Sequence, residues 1–217
     1  MKLGIVGRGP WGNTYARTLA GMGVDYWQSG RTWALNKKTQ GVIVASSAAS
    51  HYSVAKHLID KGVPVLIEKP LCLTVSGAQE LRRAAYETGG IAFTGHTRLY
   101  SPAWQRFKYQ VAQEGVDTVK AQAGGPCKLD PLWDWGPHLV AMCLDLAVVP
   151  EASEIRVSRE AIPFRFTVNN RLVFTDPITK HSALEMLLMA FITAIEGGRQ
   201  DLSGLEMGVD VVSTLEE

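Results

Sequence analysis

Two stretches of this 217-residue chain carry side chains suited to moving protons. In Asp134-Trp-Gly-Pro-His138 a carboxylate stands four residues before a histidine. On a continuous helix the two would lie one turn apart on one face. Histidine titrates nearest neutral pH, and a neighbouring carboxylate orients it and raises its pKa, which suits a general acid or base. An alcohol that gives up a hydride needs such a base for its hydroxyl proton, and the reverse reduction needs the same group as an acid. Gly136 and Pro137 predict that a helix starts between the two residues, so the pair straddles its N-terminus; either geometry lets both reach one cleft. Lys69 closes a second candidate stretch, the apolar run Val63–Ile67 followed by Glu68-Lys69-Pro70. An ammonium at that strand end can hold a reacting oxygen and stabilise developing negative charge. The plain alternatives are a structural histidine and a surface lysine before a turn.

Gly7, Gly9 and Gly12 form Gly-x-Gly-x-x-Gly directly after the apolar run Lys2–Val6 and before a helical pattern. In that setting the first glycine permits a tight turn, the second lets backbone approach a pyrophosphate, and the third allows close helix–sheet packing. The helix N-terminus adds N–H donors and a positive dipole end, and Pro10 and Trp11 lie in the same loop. A purely structural turn is the competing reading. About 20 residues on, such a site commonly places an acid for the ribose. Asp25 lies within the strand candidate Val24–Trp27, while Gln28, Ser29 and Arg31 sit nearer its end. An arginine there accommodates a 2′-phosphate, so NADP is slightly preferred over NAD, with a solvated turn as the alternative.

The elements that must position these groups follow from periodicity. Strand candidates Lys2–Val6, Val24–Trp27, Gly41–Ala45, Val63–Ile67 and Ile91–Thr94 alternate with helical segments Thr14–Leu19, Trp33–Lys38, Ser53–Lys61 and Ser76–Thr88. Continuous β-branched runs such as Gly41–Ala45 suit strands covered on both faces. This alternation predicts an α/β fold, a shortened Rossmann-like parallel sheet over residues 1–100. Beyond residue 101 the rhythm changes. Helices are expected at Ala103–Gln113, Gly136–Leu146, Leu184–Ile195 and Gly204–Leu215. Extended segments are expected at Thr118–Ala123, Ile155–Ser158, Phe164–Val168 and Arg171–Phe174, with Asn169-Asn170 as a tight turn. Residues 101–217 are therefore read as a small α+β domain with an abbreviated, mainly antiparallel sheet.

Composition narrows the function classes. Apolar residues make up 46% and charged residues 20%, a globular balance, and the formal net charge of +1 gives no nucleic-acid surface. No run approaches 18 apolar residues, so no membrane span is expected. Cys72, Cys127 and Cys143 are scattered and odd in number, which suits neither a disulfide framework nor a compact metal motif. The expected location is the cytoplasm. A Gly-x-x-x-x-Gly-Lys-[Ser/Thr] loop is absent, which weighs against an ATP-binding module.

The run Val63-Pro-Val-Leu-Ile-Glu68-Lys69-Pro70, with the glycine loop and Asp134-x-x-x-His138, resembles the glucose–fructose oxidoreductase, inositol dehydrogenase and MocA family. The likeness extends to Ala45–His51, to Arg98-Leu-Tyr-Ser-Pro102, and to Leu184–Ile195 with Gly197–Arg199 following. It implies a two-domain NAD- or NADP-dependent oxidoreductase that passes hydride to or from a sugar, cyclitol or related carbonyl compound. It further implies that Lys69 contacts substrate near the nicotinamide and that Asp134 and His138 line the substrate pocket, with His138 the proton-transfer group. Pro70 matches a proline whose peptide bond is sometimes cis. The cofactor set expected on this basis comprises Gly7, Gly9, Pro10, Trp11, Gly12, Ser29, Arg31, Ser46, His51, Glu68 and Lys69. Arg98, Tyr100 and Trp133 join Lys69, Asp134 and His138 as substrate contacts, with Trp133 and Trp135 able to stack on a sugar face or simply to pack. His96 is open between a site role and a structural one, and His57 and His181 are read as bystanders.

Two features depart from the family pattern. Only about a dozen residues separate Arg31 from Val44, where relatives fit a helix, a strand and another helix. The second domain has room for three or four strands where relatives build a broad sheet, which often supports a homodimer or homotetramer. These shortenings motivate a competing reading: a catalytically weak or inactive cofactor-binding relative that serves as a sensor or assembly subunit.

Overall fold

The computed structural model describes residues 1–30, 34–35, 38–151, 154–175 and 180–216, with backbone alone for 180–182. The first five strands form one parallel sheet in the order β2-β1-β3-β4-β5: β1 (Lys2–Val6), β2 (Asp25–Ser29), β3 (Gly41–Val44), β4 (Val65–Ile67) and β5 (Ala92–Thr94). Strand alternation divides the side chains between two buried faces. Val6, Val42, Val44, Val65 and Ile67 pack on α2 (Ala48–Ile59), α3 (Val75–Thr88) and α8 (Ser203–Glu216). Leu3, Ile5, Ile43, Leu66 and Phe93 pack on α1 (Pro10–Gly21) and α7 (Lys180–Gly197). Burial on both sides is the reason these strands read as unbroken apolar runs.

Among the boundaries that differ from the sequence reading, those of β2 and α2 lie nearest the glycine loop and the candidate site. Strand β2 begins at Asp25 and continues to Ser29, because the Val24 N–H is spent on the Leu19 carbonyl at the end of α1 (3.0 Å). Helix α2 begins at Ala48, well before Ser53, with the extended Ser47 as its N-cap. Arg31 lies outside the described residues, as do Trp33, Asn36 and Lys37 of the helix expected over Trp33–Lys38, and the described Ala34, Leu35 and Lys38 are not helical.

The second sheet has the order β7-β6-β8-β9, built from β6 (Val119–Gly124), β7 (Ile155–Ser158), β8 (Arg165–Val168) and β9 (Leu172–Phe174). Pairings β6–β8 and β8–β9 are antiparallel and β6–β7 is parallel, a mainly antiparallel arrangement. Asn169 and Asn170 take positive φ values of 52° and 56° in the β8–β9 turn, as a type I′ hairpin requires. Helices α4 (Pro102–Glu114) and α6 (Gly136–Asp145) cover one face, around buried Trp104. Its ring meets Phe166 and Phe174 edge-on, each at 5.4 Å between centroids. Although α7 and α8 follow the second sheet in sequence, both return to the first. Leu184, Leu187, Leu188 and Phe191 of α7 close one face, and Leu205, Val209 and Val212 of α8 close the other.

Candidate active site

At the head of β1 the chain turns through Gly7 at φ 137°, a conformation L side chains rarely adopt, and a Cβ there would collide with the Ala45 carbonyl. A Cβ on Gly12 would collide with the Gly7 carbonyl, so this glycine sets the packing distance between α1 and the loop. Gly9 differs: a Cβ would meet nothing within 4 Å, which leaves open space over the loop. It is the N-cap of α1 with no side-chain cap, Pro10 opens the helix, and no acid stands in the first turn. Unpaired N–H groups, a positive dipole end and an open cradle fit a dinucleotide pyrophosphate. Trp11 is exposed at the rim.

The second strand closes onto this loop, where the Gly7 N–H donates to the Ser29 carbonyl at 2.8 Å. The Gln28 amide turns back to donate to the Gly7 carbonyl (2.9 Å) and to Asn13 Oδ1 (3.1 Å). Asp25 lies at the far end of β2, paired in register with Lys2 and remote from the ribose position.

At the end of β4 two adjacent side chains diverge. Glu68 is buried and accepts the Tyr15 hydroxyl proton at 2.7 Å, inside the sheet–α1 interface. Burial raises the Glu68 pKa against the opposing pull of that hydrogen bond, and burial with the adjacent carboxylate pushes Tyr15 well above its usual range. A Cβ on Gly95 would sit 2.9 Å from Glu68 Oε1, so glycine there makes room for the pair. Lys69 turns the other way. Its ammonium donates to the Asp134 carbonyl (2.7 Å) and to Asp134 Oδ1 (2.9 Å), with the lysine side chain 8% exposed and the aspartate 29%. The Lys69-Pro70 bond is cis. His51 is buried, with Nδ1 2.7 Å from the Pro70 carbonyl oxygen and Nε2 3.2 Å from that of Ser46. Burial lowers its pKa, and a neutral ring carries one N–H, best matched to the shorter contact. His51 thus braces the turn that carries Lys69.

Asp134 ends the short helix α5 (Pro131–Asp134), whose N-cap Asp130 accepts from the Leu132 N–H at 2.9 Å. After Trp135 the chain starts α6 at Gly136, so Asp134 and His138 straddle a helix junction, and His138 is buried in the first turn. Gly136 and Pro137 suit that junction because Pro lacks the donor an uninterrupted helix needs. The Trp135 indole donates to the Gly125 carbonyl at 3.3 Å, while Trp133 packs against the first-sheet core.

The crossing segment contributes less uniformly. Arg98 lies over the Phe164 ring at 3.9 Å, and burial lowers its pKa to about 10. Tyr100 packs towards the α7 side, its hydroxyl pushed up to about 12 by burial and by Asp201 and Asp145. Among the described residues His96, 2% exposed, has no hydrogen-bond partner on either ring nitrogen, and neither has the buried Thr94 hydroxyl. Burial and the Lys69 charge lower the His96 pKa to about 3, which keeps the ring neutral. Both residues line a cavity of about 290 Å³ that also touches Tyr100, Asp145 and Met207. The sequence left Tyr15 unread and His96 open; each is a polar ring at an otherwise apolar position, where burial demands a partner.

Residues 13–96 match the Gfo/Idh/MocA model, described as an oxidoreductase family with an NAD-binding Rossmann fold. The first-sheet part of the chain is thus similar to the Gfo/Idh/MocA oxidoreductases. The Salmonella typhimurium LT2 protein YceM, named as an oxidoreductase, is 31% identical over 117 residues. That match covers 52% of this chain and 38% of YceM, so the matched part spans well under half of the curated relative. Among solved structures, a Magnetospirillum magnetotacticum MS-1 protein named as an oxidoreductase superposes with a TM-score of 0.82 at 22% identity, covering 100% of this chain and 98% of that one. GenD2 from gentamicin A biosynthesis, in complex with NAD, gives 0.79 at 20% identity over 100% and 92% of the two chains. A myo-inositol dehydrogenase from Corynebacterium glutamicum ATCC 13032 gives 0.77 at 12%, over 100% and 94%. These likenesses show a fold shared over the full length of this chain, both sheets included. Among the described residues, no helix is long and apolar enough to cross a membrane.

Proposed function

We propose that the chain is a nicotinamide-dependent dehydrogenase or reductase acting on a sugar, cyclitol or related hydroxy or carbonyl compound. The observation that carries this reading is the Lys69–Asp134 contact at the end of β4, with His138 beginning the next helix. Two groups remote in sequence, one from each layer, meet beside the strand ends where ligands gather in open α/β sheets. The NAD complex of GenD2 and the myo-inositol dehydrogenase neighbour support the cofactor and substrate class.

When bound, a nicotinamide dinucleotide supplies or accepts the hydride. The Gly9 cradle and the α1 N-terminus would hold its pyrophosphate, with Ser29 at the end of β2 and Ser46 just after β3 on either side of β1. Asp134 takes two of the three Lys69 N–H donors, which fixes the ammonium and leaves the third for a substrate oxygen. As charge develops on that oxygen, the fixed cation stabilises it. His138 takes the hydroxyl proton during oxidation and returns it during reduction.

Lys69→Ala and His138→Ala are expected to lower turnover by roughly 100-fold or more while leaving dinucleotide affinity within a few-fold. Steady-state rates across a sugar and cyclitol panel, beside fluorescence titration of the cofactor, read the two effects separately. Near-wild-type turnover in both variants would overturn the assignment.

A further inference from the structure

The end of β2 is bordered by hydrogen-bond donors. In a Rossmann unit this is where the adenosine ribose lies, and an acid there holds the 2′-hydroxyl. Here the last strand residues are Gln28 and Ser29, in register with Ile5 and Val6 beside the glycine loop. The Gln28 amide nitrogen donates inward to Gly7 and Asn13, and no Asp or Glu follows in residues 28–40 to hold the ribose with a carboxylate. From the glycine loop itself, Arg8 reaches across: its guanidinium Nη2 donates to the Gln28 carbonyl oxygen at 3.3 Å. That places an exposed cation over the strand end. No carboxylate pairs with it among the described residues.

We infer that Arg8 recognises the 2′-phosphate of NADP(H) and makes the chain select the phosphorylated dinucleotide. One N–H of the fork is spent on Gln28 and orients the plane, leaving further donors to meet a dianion. A neutral 2′-hydroxyl would gain no comparable attraction, and the missing acid removes the repulsion that excludes a phosphate from NAD sites. This inference rests on the dinucleotide reading of the glycine loop, and its test separates the two.

The test measures dissociation constants of NADPH, NADH, 2′,5′-ADP and 5′-AMP for the wild type, Arg8→Leu and Arg8→Glu by fluorescence and calorimetry. Arg8 is exposed, so both variants should keep the wild-type melting temperature. The wild type is expected to bind 2′,5′-ADP at least tenfold more tightly than 5′-AMP. Arg8→Leu should weaken NADPH and 2′,5′-ADP by tenfold or more and change NADH and 5′-AMP by less than threefold; Arg8→Glu should reverse the preference. An NADPH-to-NADH affinity ratio unchanged in Arg8→Leu would overturn the role of Arg8 while leaving the cofactor reading intact. No binding of either dinucleotide by the wild type would overturn both.

Discussion

His96 shows what a buried polar side chain does when the surrounding fold offers it nothing. Both ring nitrogens lack partners among the described residues, and protonation would add a charge to a buried ring beside Lys69. With its folded pKa lowered to about 3 against an ordinary 6.5, the unfolded chain binds the proton and the folded chain does not throughout that interval. Stability is therefore fully kept above about pH 6.5 and declines as pH falls towards 3, by at most about 1.4 kcal/mol per unit from this group. Between pH 7 and pH 5 the wild type should lose about 2 kcal/mol more than His96→Leu. Urea unfolding at the two pH values reads the difference. Equal losses in both proteins would show that His96 is not held neutral. His51, lowered in the same direction, contributes equally to both and drops out of the comparison.

Among the elements, the strands were legible in sequence because burial on both faces demands apolar residues without interruption, as in Gly41–Val44 and Val65–Ile67. The glycine loop was legible for a similar reason, since Gly7 and Gly12 answer steric demands that no other residue meets. Side-chain partners were not legible. Glu68 meets Tyr15 across 53 residues and Lys69 meets Asp134 across 65, distances over which spacing carries no information. Arg8 went unread because it occupies an unconstrained position of the loop, and its direction is set by the end of a different strand. Helix α7 has a periodicity that marks a buried face without saying which sheet receives it. That face covers the first sheet, with Phe191 meeting Phe93 edge-on at 5.7 Å between centroids. Phe191→Ala is thus expected to cost about 3–5 kcal/mol, because the sheet cannot collapse into the space. A melting scan would check it, and a change under 1 kcal/mol would mean that α7 does not complete the first core.

For the whole molecule, the two layers are tied at few points that matter for chemistry. Lys69 comes from the parallel sheet and Asp134 and His138 from the helices after β6, so the candidate site exists only when both layers are folded and docked. Helices α7 and α8, returning from the far side of the second sheet, hold that docking in place. On the proposed reading a dinucleotide would enter along the head of α1, where Gly9 alone of the loop glycines faces open space and takes an ordinary backbone conformation. This isolates binding from folding. Calorimetric titration of NADPH and NADH into the wild type and Gly9→Val tests the account most directly. Saturable binding of one dinucleotide per chain is expected in the wild type, weakened at least tenfold in Gly9→Val at an unchanged melting temperature. Wild-type affinity retained in Gly9→Val, or no saturable binding to the wild type, would contradict it.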